Sequence, residues 1–387
     1  MPKLVRITTV PLSLNVLLPG QMRFMKQNGL DVIMVAGEGK DWDEVLARED
    51  CRHELIPMTR KMTPAADLRS LWMLYRFFKK EKPDIVHSHT PKAGLLAMLA
   101  AKFAGVKIRI HTIAGLRFMT SVGTTRKILV AMEKLTASSA THVWPNSFSL
   151  ANYIKQHKLV QPAKLEVIGR GSSNGINLAR YSTASLNAEK LAATRKSIGY
   201  DADLLYFLSV GRIVNDKGID ELLKAFTAVY EKNQQTRLLL VGAFEDELDP
   251  VSDTARQILQ THPGIIQAGW SDAVEYYMHL SFALIHPSHR EGFPNVLLQA
   301  GAMHCPIICS RIEGNIDIVD DATTGLLFEV KNGEELGRKM EYALENPELM
   351  NQYASALRAK IEQHFDQPAV HRQLLARYQQ LLASARS

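Results

Sequence analysis

Apolar positions along this chain fall into one repeating pattern. A short, nearly continuous apolar run is followed by a loop, then by a longer segment whose apolar residues recur three and four apart. The runs at residues 4–10, 31–36, 84–89 and 107–112 carry apolar residues in short stretches, as expected of strands in a covered parallel sheet. Residues 53–57, 141–145 and 165–168 read as further strands. Residues 21–28, 41–49, 65–82, 92–104, 124–139 and 147–157 carry the helical period between them. The Gly/Ser/Asn-rich stretch 169–177 then interrupts the pattern as a linker. Alternation restarts with strands expected at 204–210, 237–242, 265–269, 282–285, 306–310 and 325–328. Helices are expected at 218–233, 250–261, 272–279, 332–345, 347–363 and 368–384, and one after Pro294.

Such alternation predicts an α/β fold of two Rossmann-like domains, each a doubly wound parallel sheet. The first is expected over residues 1–176, joined by a crossover helix within 366–387, and the second over 177–365. Open parallel sheets bind ligands at the carboxyl ends of their strands, so the expected site is a cleft between the two domains.

Two loops concentrate candidate chemistry. In the first, His286-Pro287-Ser288-His289-Arg290-Glu291-Gly292-Phe293-Pro294-Asn295-Val296 runs from a strand into a helix. Free backbone N–H groups around Gly292, Phe293, Asn295 and Val296 would favour an anion at that helix start. Glu291 and Gln299 are two helical turns apart and are expected along one helix edge. In the second, Gly211-Arg212-Ile213-Val214-Asn215-Asp216-Lys217-Gly218 places two cations between glycines after a strand. Arg212 could hold a diphosphate bidentately and Lys217 as a point charge.

Taken in order, these motifs resemble the retaining family-4 glycosyltransferases of GT-B fold. The resemblance rests on Gly211-Arg212 with Lys217-Gly218, Arg290-Glu291-Gly292-Phe293-Pro294-Asn295, and Gly325-Leu326-Leu327. In the first half, the segments around His87 and His89, His111-Thr112, Asn146-Ser147 and Ser173-Asn174-Gly175 agree with it. It extends over nearly the whole chain and is nearest to bacterial enzymes that assemble surface polysaccharides on a lipid carrier. It implies a hexosyltransferase that uses a nucleotide-sugar donor, with UDP favoured, and a polyprenyl-diphosphate-linked saccharide acceptor. It implies that Arg212, Lys217 and the backbone of Gly292, Phe293, Pro294, Asn295 and Val296 hold the donor diphosphate. Glu291 and His111 would orient the donor sugar, and Trp270 would stand where the base docks. Gln299 replaces a carboxylate expected to bind the ribose, and the first βα loop, from Pro11 to Asn15, lacks the usual glycines. The rival readings are an epimerase or phosphorolytic enzyme on the same fold, or a nucleotide-sugar-binding protein without catalysis.

Charge adds a partner to this picture. Residues 1–180 hold 27 Lys and Arg against 13 Asp and Glu, whereas residues 181–387 hold 19 against 27. A basic first half suits an anionic membrane surface. Within it, residues 60–82 carry seven basic and two acidic residues on a helix with Leu68, Trp72, Phe77 and Phe78. The loop 115–119 adds a basic, apolar segment. Nucleic acid is not expected, because no stacking platform of aromatics on strands is present.

His87 and His89 share one side of a strand end, where they could pair with an acceptor phosphate or cap the loop. No metal or other cofactor is expected. Asp41-Trp42-Asp43 and Asp201-Ala202-Asp203 match an Asp-x-Asp pattern but read as surface charges. Cys51, Cys305 and Cys309 are too few for a disulfide framework and fit a reducing setting. Pro11 and Pro19 break the first apolar run, so no signal peptide is expected, and no run reaches the roughly 18 apolar residues of a membrane span. The expected location is the cytoplasm, at the inner face of the membrane.

Overall fold

A computed structural model describes residues 1–59, 63–245 and 249–385, with Arg117 described by its backbone only. The chain divides into two compact units, residues 1–175 with 367–387, and residues 176–366. Each is built around one six-stranded parallel sheet with helices on both faces.

In the first unit, β1 (Lys3–Ile7), β2 (Asp31–Ala36), β3 (Arg52–Leu55), β4 (Ile85–Ser88), β5 (Ile108–Ile113) and β6 (His142–Pro145) line up as β3-β2-β1-β4-β5-β6. In the second, β7 (Leu205–Val210), β8 (Thr236–Val241), β9 (Ile265–Gly269), β10 (Ala283–His286), β11 (Ile307–Ser310) and β12 (Leu326–Phe328) line up as β12-β11-β10-β7-β8-β9. The strand order therefore reverses between β1 and β4, and again between β7 and β10. At such a switch point the loops diverge and leave room for a ligand at the strands' carboxyl ends.

Register decides which side chains meet. Arg6 on β1 lies opposite His87 on β4, and Ser88 on β4 lies opposite His111 on β5. The two faces of β1 serve different layers. Val5 and Ile7 pack into one core, whereas Leu4 joins the other, with Trp144 and Tyr378. The helix Gln367–Ser384 carries Tyr378 back onto the first sheet.

Three local expectations change. Residues 11–15 are not an open loop but the start of the helix Pro11–Leu17, because Pro11 has a preset φ suited to a first helical turn and Leu14 is fully buried. Residues 165–168 form no strand. Only Leu165 bridges to Val143, and Glu166 turns outward to pair with Arg377 at 2.9 Å. The helix Ala188–Ser197 has no buried residue and hence no apolar stripe to betray it. Its sequence signal is Asn187, whose side chain accepts from the Lys190 N–H at 3.0 Å.

Among the described residues, no helix is long and apolar enough to cross a membrane. All three cysteines are free and buried, and burial pushes the Cys305 thiol up to about 12.

Candidate active site

Both loops at the switch point of the second sheet come from the segments that carried candidate chemistry. Gly218 makes their approach possible. It adopts φ +68° at the head of the helix Ile219–Lys232, and a Cβ there would lie 2.1 Å from the Pro287 carbonyl oxygen. Only glycine fits so close to another backbone. The loops are then fastened by Arg290 Nη2 to Asp216 Oδ2 at 2.7 Å and by the His289 N–H to the Asp216 carbonyl at 2.9 Å.

This fastening brings Lys217 Nζ onto Glu291 Oε1 as an ion pair. His286 Nε2 lies 3.3 Å from the same oxygen, close enough for attraction although it is not aligned as a hydrogen bond. Burial works against the Glu291 charge, yet Lys217 and His286 together hold this carboxyl well below the usual carboxylate range. His286, at the end of β10, was not singled out by sequence reasoning. Its position one turn of chain before Glu291, on a buried strand end, was the available signal.

Beside this cluster begins the helix Asn295–Ala302. Its N-cap, Pro294, makes no side-chain cap and no acidic residue occupies the first turn, so its first amides are uncapped by side chains. Pro294 itself has no N–H, so the backbone donors at that start belong to Phe293, Asn295 and Val296. The Phe293 ring turns into the core against Phe365, at 5.3 Å between centroids, leaving only its backbone for a ligand. Gly314, at φ +84°, passes so near Gly292 that a Cβ would lie 2.4 Å from the Gly292 carbonyl oxygen. The loop after β11 thereby closes one side of the helix start.

Other expected residues stand apart from the cluster. Arg212 does not join Lys217. Its Nη1 pairs with Glu245 Oε2 at 2.6 Å on a half-exposed surface. Glu291 and Gln299 do not share a helix edge, because proline disfavours helical geometry in the residue before it and the helix begins only at Asn295. Gln299 Nε2 instead donates to Tyr181 Oη at 2.7 Å. Trp270 follows Gly269 at the end of the edge strand β9 and is 72 % exposed.

His111 belongs to the first unit. It is buried on β5, with Nδ1 2.9 Å from Ser88 Oγ. The missing side chain of Gly94 makes room for its ring, since a Cβ there would lie 2.3 Å from Cε1. Burial lowers the imidazole to about 4, so it is neutral at pH 7. His87 and His89 both turn to Arg6. Both are buried against Arg6, at 2.6 Å (Nδ1) and 2.7 Å (Nε2), and burial, then the Arg6 charge, keeps them neutral.

The described residues contain no group of three or more His, Cys, Asp or Glu arranged to hold a metal ion. Asp41 and Asp43 lie at the start of the helix Trp42–Glu49, where negative charge is favoured, and Asp201 Oδ1 accepts from the Asp203 N–H at 3.0 Å within a turn.

Residues 192–360 match the glycosyl transferases group 1 family, and residues 19–171 match the glycosyl transferase 4-like domain. The chain is 32 % identical over 388 residues to the capsular polysaccharide biosynthesis glycosyltransferase CapM of Staphylococcus aureus, covering 98 % of this chain and 97 % of that protein. The chain belongs to the family-4 glycosyltransferases. It is also 28 % identical over 280 residues to the UDP-Gal:alpha-D-GlcNAc-diphosphoundecaprenol alpha-1,3-galactosyltransferase of Escherichia coli, covering 71 % of this chain and 70 % of that one. Among solved structures, Anabaena HepE in complex with UDP-glucose superposes with a TM-score of 0.80 at 17 % identity, over 98 % of this chain and 100 % of HepE. The enzyme thus has the GT-B fold. Lys217, Glu291 and Gln299 all lie inside the matched group 1 segment, and His111 inside the matched 4-like segment.

Proposed function

We propose that this glycosyltransferase moves a hexose or N-acetylhexosamine from a UDP-linked donor to a hydroxyl of a polyprenyl-diphosphate-linked saccharide. The transfer would retain anomeric configuration and serve bacterial polysaccharide or glycan assembly. The observation that carries this reading is the Lys217–Glu291–His286 cluster beside the uncapped start of the helix Asn295–Ala302. A diphosphate seated there meets Lys217 and outward amides, and the leaving negative charge is stabilised where it develops. Arg212 gives up only an exposed ion pair with Glu245 to reach the same phosphates, and exposed pairs are weak. These cations and dipoles supply the positive field without a metal.

Glu291, held as an anion, accepts hydrogen bonds from donor sugar hydroxyls. His111 is neutral, with Nδ1 engaged by Ser88, so Nε2 is the ring atom left to orient the sugar. The acceptor oxygen bonds to the anomeric carbon on the face from which the diphosphate departs, and the hydroxyl proton passes to the departing phosphate oxygen. Trp270 offers an exposed ring for the base. The uridine assignment draws support from the UDP-Gal-using relative and from the UDP-glucose complex of HepE. The diphosphoundecaprenol acceptor of that relative supports the lipid-linked acceptor.

An acceptor of this kind lies in a membrane. The helix Pro64–Glu81 leaves Leu68 (67 % exposed) and Trp72 (55 %) beside Phe103 (65 %), around an apolar groove. Arg69 lines the groove, and the Arg76 guanidinium sits 4.8 Å over the Trp72 ring. These residues support peripheral binding to an anionic membrane at its cytoplasmic face. Phe77 and Phe78 do not contribute, because both are packed into the core, and so are Leu116 and Phe118 of the loop 115–119. Residues 60–62 of this basic segment lie outside the described residues, as does the Arg117 side chain.

Thermal denaturation against a panel of UDP-, GDP- and ADP-linked sugars tests the donor assignment. A UDP-sugar should raise the midpoint by mass action at concentrations where the others do not. An upward shift with GDP- or ADP-sugars alone would overturn the uridine assignment.

A further inference from the structure

In the first unit, Arg6 is fully buried in the middle of β1. An isolated buried charge is costly, and arginine does not shed its proton in proteins. Among the described residues no Asp or Glu lies within ion-pair distance of it, and its four terminal N–H contacts go to uncharged groups. Nη1 reaches His87 Nδ1 at 2.6 Å and Tyr378 Oη, and Nη2 reaches Gln21 Oε1 at 2.5 Å and His89 Nε2 at 2.7 Å. The fifth donor, Nε–H, has no partner within the protein.

A small cavity adjoins this guanidinium, lined also by His89, Trp144, Asn146, Ser172 and Ser173. Trp144 is 2 % exposed, and its Nε1–H likewise lacks a protein partner, as does Ser173 Oγ. Arginine and tryptophan side chains can donate but not accept. The site therefore combines one uncompensated positive charge with unused donors. Its volume is about 30 Å³, room for one or two water-sized species and too small for a phosphate, sugar or nucleotide.

We infer that this cavity is a binding site for a single small anion of halide size. A halide accepts from several donors at once, asks for none in return, and supplies the missing negative charge. Water must also donate and carries no charge. The lining comes from β1, β4, β5, β6, Ile168, residues 172–173 and the returning helix Gln367–Ser384, so the site is complete only when that helix is docked on the first sheet. Anion binding therefore favours the docked helix by mass action. Arg6 lies outside the segment matched by the 4-like domain, and the site is separate from the donor cluster of the second unit.

The test uses the wild-type protein in sodium chloride, bromide and gluconate at equal ionic strength. The unfolding midpoint should rise saturably with chloride and bromide but not with gluconate, by about 3–5 °C once the halide exceeds its dissociation constant about tenfold. Crystals grown in bromide should show an anomalous peak beside Arg6 Nε and Trp144 Nε1. Trp144→Phe keeps an aromatic ring and removes the N–H, and should weaken the halide dependence. Equal midpoints in the three salts, or a bromide-grown crystal with only water in the cavity, would overturn the site whether or not the variant folds.

Discussion

Lys217 Nζ and Glu291 Oε1 form an ion pair across the switch point of the second sheet, joining the loop after β7 to the loop after β10. Breaking such a pair from one side strands a charge in a partly buried place, whereas removing both charges does not. Lys217→Met should therefore destabilise the enzyme by about 3 kcal/mol, and Lys217→Met with Glu291→Gln by clearly less. Urea unfolding of the two single variants and the double variant measures the coupling. Additive losses would show that the pair contributes nothing to the fold.

Gln299 raises a separate question, because its amide donates to Tyr181 Oη at 2.7 Å. Gln299→Glu reverses that bond, since the Tyr181 hydroxyl can turn to donate to the new carboxylate. A carboxylate is also the stronger acceptor for ribose hydroxyls. Titration calorimetry with UDP should then show affinity rising by about 3–10-fold, on the order of 1 kcal/mol. Tyr181→Phe should alter UDP binding as well, by freeing the amide. If neither variant moves the dissociation constant, Gln299 does not touch the ribose.

Much of this site was legible in the sequence. The apolar runs identified all twelve strands by position and also suggested a thirteenth, at 165–168, that does not form. The segments around Lys217 and Glu291 declared themselves because glycines and charges sat between a strand and a helix. What could not be read was which charges would meet. Glu291 lies nearer in sequence to Gln299 than to Lys217, and only the close backbone approach at Gly218 decides the pairing. His87 and His89 looked able either to pair with an acceptor phosphate or to cap the loop, since alternation places both on one face. That face proved to be the one carrying Arg6, a cation whose burial no local pattern announces.

Buried neutral histidines make the fold sensitive to acid. His87, His89 and His111 titrate below the ordinary histidine range when folded, each chiefly because of burial, and His111 falls to about 4. Between that value and the unfolded pKa near 6.5, the unfolded chain binds more protons than the native one. Stability is thus full above about pH 6.5 and declines as pH falls toward 4, by up to about 1.4 kcal/mol per pH unit for each such group. Glu291, whose pKa is lowered, adds to the loss only below the ordinary carboxylate range. Midpoints measured from pH 7.5 to 4.5 should fall progressively. A flat profile would mean that these rings are protonated in the native state.

The apolar groove on the helix Pro64–Glu81 yields an independent prediction. Leu68→Ser with Trp72→Ser removes exposed apolar surface without touching the core. Co-sedimentation with vesicles rich in anionic lipid should drop several-fold, and wild-type binding should weaken at high salt. Equal sedimentation of wild type and variant would place membrane contact elsewhere.

The most direct test of the account is acceptor-dependent release of UDP from a UDP-sugar, with a polyprenyl-diphosphate-linked saccharide as acceptor. Wild type should release UDP only when that acceptor is present. Glu291→Ala and Lys217→Ala should each slow the reaction by about 100-fold or more while remaining folded by circular dichroism, a loss on the scale of removing one charge-stabilising group. Wild-type rates in both variants would contradict the assignment of the active site to this cluster.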